Sequence, residues 1–260
     1  MRNLKLVIAF DGTNYAGWQR QKNATTIQGV LEEKISIMTS GQVITLHGAG
    51  RTDAGVHAMA MTANFHTQAT IPCQGFLKGL NSLLPNDIII RSVQEVDDSF
   101  HARFNALGKS YLYKIITDPT LLPTDRLYNV HESRLKNFPA IQSSLDLLLG
   151  EHDFSSFEAT GSRDKSKTGG KGAVRRITHA RLQHEYGRLE IRLKGNGFLR
   201  HMVRNIAGTL MLVGRDLLTV EEFRKILHGK DRSLAGPTGP AHGLFLEEVY
   251  YDQMLNFQDI

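Results

Sequence analysis

The chain has 260 residues, 41% of them hydrophobic and 22% charged, with a formal net charge of +5. That size supports one large core or two modest lobes, and the composition excludes a disordered chain. Cys73 is the only cysteine, which excludes a disulfide framework, a cysteine-built zinc cluster and a redox pair. It reads as a small buried hydrophobe. No run approaches the ~18 apolar residues needed to span a bilayer, and the N-terminus lacks a secretory leader, so a cytoplasmic protein is expected. The positive excess points to an anionic partner only where the cations cluster.

Leu4 to Phe10 is rich in strand formers and ends at the turn signal Asp11-Gly12. Thr13 to Gln21 then combines Tyr15 and Trp18 with amides and Arg20. Such groups can stack on bases, or equally pack beneath a loop. Thr25-Thr26-Ile27-Gln28 resembles a capping box, and Ile27, Val30, Leu31, Ile35 and Met38 recur at helical spacing, so residues 26–39 form an amphipathic helix.

Gly48 to Ala58 packs three glycines, Arg51, Asp53 and His57 into eleven residues. Glycines permit left-handed backbone and close approach of another molecule. A fixed, ionised carboxylate suits nucleophilic or electrostatic work, whereas the simpler reading has Asp53 capping amides of a tight turn. Residues 56–66 then alternate as a strand. Phe76 to Leu84 reads as a helix ending before Pro85, and Asp87 to Val93 as another strand.

In Phe100 to Ile115, Tyr111, Tyr113 and Ile115 share one strand face, interleaved with Arg103, Lys109 and Lys114. This is a stacking platform for bases or a half-buried aromatic face. Gly108-Lys109-Ser110 ends like a P-loop, but its opening position is Arg103 rather than Gly, which excludes that motif. Residues 117–135 look like a connection. Ala140 to Leu149 is a short helix closed by Gly150.

Gly161 to Arg176 holds Arg163, Lys165, Lys167, Lys171, Arg175 and Arg176 against the single acid Asp164. It is a phosphate-contacting loop or a solvated one. Ile177 to Leu193 contains two strands joined at Tyr186-Gly187-Arg188. Met202, Val203, Ile206, Leu210 and Met211 then mark a helix face, with Arg200 and Arg204 placed four residues apart. Like charges at that spacing oppose a helix unless an anion lies nearby. Thr219 to Glu222 is a second capping box, on a helix closed by Gly229. A turn-rich segment, Gly236 to Gly243, leads into a closing strand, Leu244 to Tyr250.

Taken together, these motifs resemble the TruA-type tRNA pseudouridine synthases over about residues 4–250. The resemblance is carried by Phe10 to Gln21, Gly48 to Ala58, Phe100 to Arg103, Lys109 to Tyr113, Phe198 to Ile206 and Ala235 to Leu246, in that order. It implies an α+β fold of two mixed α/β lobes with a central antiparallel sheet and a basic cleft between them. The lobes are expected at 1–105, carrying the Asp loop, and 106–260, carrying the Tyr strand and a basic helix. It implies a homodimer that binds tRNA and isomerises uridine at positions 38, 39 and 40 of the anticodon stem-loop, with no cofactor and no metal. By motif position Asp53 is the catalytic aspartate and Tyr111 stacks on the target base. Arg204 forms a salt bridge with Asp53, and Arg51 holds the displaced nucleotide or its phosphates. Gly239 stands where the family often has Ala. A non-catalytic tRNA-binding or folding protein is the alternative.

Overall fold

The computed structural model describes residues 1–161 and 172–251, so most of the basic loop at 161–176 lies outside the described residues. The chain divides into two compact units. One is Met1–Leu107 together with the closing segment from Phe245, and the other is Gly108–Leu244. The first contains β1 (Arg2–Phe10), α1 (Ile27–Met38), β2 (His47–Gly48), β3 (His57–Thr67), α2 (Cys73–Leu83) and β4 (Ile88–Val96). The second contains β5 (Gly108–Ile116), β6 (Val130–His131), α3 (Phe138–Asp146), β7 (Gly150–Asp153), β8 (Val174–Glu185), β9 (Arg188–Gly195), α4 (Met202–Gly214) and α5 (Val220–Gly229). The last strand, β10 (Leu244–Tyr250), returns to the first unit. Both units combine helices with mainly antiparallel strands, which is the α+β class.

In the first unit β1 lies between β3 and β4, antiparallel to both. β3 also receives β2 antiparallel and β10 parallel, with Phe245 opposite His57. Leu4, Leu6, Ile8 and Phe10 alternate along β1 and are all buried. Each such side chain contributes about 1.5–3 kcal/mol on leaving water. Phe65 of β3 meets Phe76 of α2 edge-on, with ring centroids 5.9 Å apart.

The ends of these helices differ from the sequence reading in instructive ways. The cap is Thr26, one residue past the Thr25 of the expected box; it accepts from the amide of Gly29, which has no side chain to return a bond, so the expected box does not form. Gln28 instead accepts from the Arg20 amide and donates to Glu32 and to the Leu46 carbonyl, because two neighbouring segments present backbone groups that need partners. α2 begins at Cys73, three residues earlier than Phe76, behind Pro72, whose φ of −59° suits a helix entry. Cys73 is therefore half-buried at a helix start rather than a core residue, with Arg2 Nη2 4.0 Å from its sulfur.

In the second unit β5, β9, β8 and β7 follow one another antiparallel, and β6 runs parallel to the end of β5. The β8–β9 hairpin turns on Tyr186 and Gly187, at φ +49° and +71°. Two positive φ values match the right-handed twist of the flanking strands. At α5 both halves of the capping box form, Thr219 with the Glu222 amide and Glu222 with the Thr219 amide. α4 is buried on nearly every side, including Asn205 and Thr209, and not along one stripe only. It starts after His201, whose φ of +62° turns the chain sharply. Arg200 therefore sits in the turn ahead of the helix, and the two arginines do not share a helical face.

Candidate active site

Asp53 lies in the loop between β2 and β3 and is half-buried. Its loop is held from behind by the segment that follows β1. The Trp18 amide donates to the Thr52 carbonyl at 3.1 Å, and the Gly55 amide to the Tyr15 carbonyl at 3.3 Å. Val56 N–H closes the turn on the Asp53 carbonyl at 3.2 Å, with Gly55 at φ +75°. Gly17, at φ +90°, allows the two segments to touch. A Cβ there would stand 2.5 Å from the Thr52 carbonyl oxygen and 3.0 Å from the Asp53 carbonyl carbon. The carboxylate is thus carried on a loop whose backbone is fixed at several points.

The neighbours of Asp53 divide into exposed and buried groups. Arg51 is exposed and has no acidic partner among the described residues. Thr52 is buried, and its hydroxyl has no hydrogen-bond partner among the described residues. His57 is buried, stacks on Phe245 with centroids 4.6 Å apart, and accepts from the Gly12 amide at 3.1 Å. That makes it a packing and hydrogen-bonding residue. Trp18 is also core. It is 2% exposed, packs beside Phe10 and covers Gly48, where a Cβ would come within 2.6 Å of the indole. Its ring backs the loop and is not a surface for bases. Tyr15 donates to Asp87 at 2.6 Å, and burial, reinforced by this bond, pushes its phenol above the usual range.

The second unit carries Tyr111 and Arg204. Tyr111 lies on β5 with its ring edge-on to Phe198, centroids 4.9 Å apart, and is 9% exposed. Tyr113, two residues on, is fully buried, and its hydroxyl donates to the Pro240 carbonyl at 2.9 Å. Burial raises its pKa, and the nearby Arg204 opposes this. Tyr113 is therefore a core anchor.

Arg204, in the first turn of α4, is held twice by one glycine. Its Nε donates to the Gly239 carbonyl at 2.8 Å, and the Gly239 amide donates to its carbonyl at 2.9 Å. A Cβ on Gly239 would stand 2.6 Å from the Tyr113 hydroxyl and 3.0 Å from the Arg204 carbonyl oxygen. An alanine there requires the tyrosine to shift.

Comparison with known protein families matches residues 6–105 and 145–252 to one described as tRNA pseudouridine synthase. The chain belongs to this family. It is 52% identical over 252 residues to tRNA pseudouridine synthase A 1 of Desulfotalea psychrophila, covering 96% of this chain and 100% of that one. It is 46% identical to tRNA pseudouridine synthase A of Acetivibrio thermocellus, again over 96% and 100% of the two chains. A relative from Geobacter is 44% identical over 97% and 100%. This membership makes the chain an isomerase of the TruA-type tRNA pseudouridine synthases.

Within the family frame, sequence reasoning missed that Gly17 lets its segment back the Asp53 loop and that Gly239 clamps Arg204. Positive φ and close approach become visible only when two distant segments meet. Among the described residues no three His, Cys, Asp or Glu side chains form a metal-binding group, and no helix is long and apolar enough to cross a membrane.

Proposed function

We propose that the chain converts uridine to pseudouridine at positions 38, 39 and 40 of the tRNA anticodon stem-loop, using Asp53 and no cofactor. The observation that carries this reading is a half-buried carboxylate on a backbone-anchored loop, within residues matched to the family. Isomerisation breaks the N1–C1′ bond, turns the uracil and joins C5 to C1′; the C5 proton leaves to solvent and N1 takes up a proton, so the product is an isomer of the substrate. Asp53 either attacks the sugar or removes one of its protons.

Tyr111 stacks on the detached base, Arg51 holds the displaced nucleotide or its phosphates, and Arg204 balances the catalytic anion. Flipping a stem nucleotide costs a few kcal/mol, and base stacking of about 1–3 kcal/mol with phosphate contacts offsets it. The enzyme works as a cytoplasmic homodimer, which light scattering on the purified protein tests.

The deciding experiment uses tRNA transcripts tritiated at uridine C5, with wild type and Asp53→Asn. Tritium release by wild type alone, mapped to positions 38–40 with the base retained, is the expected result. Tight binding without release would replace this reading with a non-catalytic tRNA-binding protein. Free uracil would replace it with a hydrolase.

A further inference from the structure

The second unit contains a cavity of about 880 Å³ that none of the residues assigned above lines. Its walls come from the turn before α4, the end of α5, the segment 231–238 and the chain around Ser155 to Gly161. Three cations line it, Arg200, Lys230 and Arg232, with the acids Glu158 and Asp231.

These groups are not equivalent. Arg232 is committed to the wall, donating to Asn205 at 3.1 Å, Thr238 at 3.3 Å and the Ala235 carbonyl at 3.2 Å. Lys230 is exposed and lies 3.7 Å from a half-buried Asp153, a loose pair. Glu158 is buried, and Asp231 accepts from the Ser233 amide within its own turn. Arg200 is exposed, and no acid pairs with it among the described residues. The cavity thus presents a cation to solvent while its acids are engaged by the protein.

Its position has a consequence for Arg204. Asn205 and Thr238 line the cavity, and they are the immediate chain neighbours of Arg204 and Gly239, which clamp each other. Cavity and clamp are therefore built from the same two segments. A concave, hydrogen-bonding, cationic surface of this kind suits a phosphodiester rather than a base.

We propose that this cavity holds a backbone phosphate of the bound tRNA, through Arg200 with Lys230 at its rim, at a nucleotide other than the one that reacts. The proposal rests on the tRNA reading above, but its test does not require turnover.

The test is the salt dependence of binding of an unmodified tRNA transcript, measured for Asp53→Asn alone and with Arg200→Gln or Arg200→Lys added. Losing one phosphate contact lowers the slope of log Kd against log salt by about 0.7–0.9 and weakens binding by about three- to tenfold near 0.15 M salt. Arg200→Gln is expected to show both changes, and Arg200→Lys to restore the slope. Because Arg200 is exposed, circular dichroism should show both variants folded. An unchanged slope and Kd for Arg200→Gln would overturn the proposal. So would weaker binding that Arg200→Lys fails to restore. Absence of tritium release by wild type, alongside an Arg200-dependent slope, would refute the isomerase reading and leave the phosphate site standing.

Discussion

Gly17 and Thr52 show how the Asp53 loop is specified one residue at a time. Gly17 combines a left-handed φ with a backbone oxygen 2.5 Å from where its Cβ would be, whereas Gly41, at φ +86°, faces open space. Gly41→Ala should cost only the strain of the left-handed region, about 1–2 kcal/mol. Gly17→Ala should cost clearly more, and it should lower kcat because the Asp53 backbone must yield. Urea melts and tritium-release rates of the two variants check this, and equal losses of stability would refute it. The Thr52 hydroxyl is buried without a partner among the described residues, which disfavours the folded state by about 1–3 kcal/mol. Thr52→Val should therefore leave the melting temperature unchanged or raise it. A fall in melting temperature would refute this.

Helix and strand boundaries follow local chemistry where no distant segment competes. The Thr219–Glu222 box forms in full on an exposed helix start, so Thr219→Ala should cost about 1 kcal/mol in urea unfolding. At Thr26 no box forms, because the third helical residue is Gly29, while Gln28 bonds instead to Arg20 and Leu46. Gln28→Ala should then destabilise through lost tertiary bonds, by about 1–3 kcal/mol, more than a cap residue on an isolated helix would. The periodic apolar positions of α4 were legible, but its burial on nearly all sides was not. Asn205 and Thr209 look polar in sequence, yet they are satisfied internally by the Phe157 carbonyl, Arg232 and the Asn205 carbonyl.

Across the whole molecule, pH acts first through imidazoles. His101 in the first unit is held below the ordinary value of 6.5 by burial and then by His47. In the second unit burial also lowers His242. A folded pKa below the unfolded one means that the unfolded chain binds more protons. Stability is then full above about pH 6.5 and declines as pH falls through that value. Glu132 is lowered by its bond to Arg134, so its contribution is lost only further down, below the ordinary carboxylate value of 4.5. Melting temperature is expected to fall between pH 7.5 and 5.5, and His242→Gln should flatten that decline. An identical slope in the variant would refute the assignment.

The linear sequence by itself determined the mixed α/β character, the order of most elements and the family. Hydrophobic periodicity, turn residues and contiguous motifs are encoded by near neighbours, and it was the resemblance of those motifs to the family that pointed to Asp53, Tyr111, Arg51 and Arg204. The sequence could not choose between core and binding roles for Trp18, since an indole reads the same in either setting. Burial beneath the Asp53 loop decided that question. Likewise only the tertiary structure displaced Arg200 from the helix, clamped Arg204 with Gly239 and opened a cavity beside that clamp. The clamp and the cavity depend on segments tens of residues apart meeting within a few ångströms, and the displacement of Arg200 on a left-handed His201 backbone that no hydrophobic pattern records.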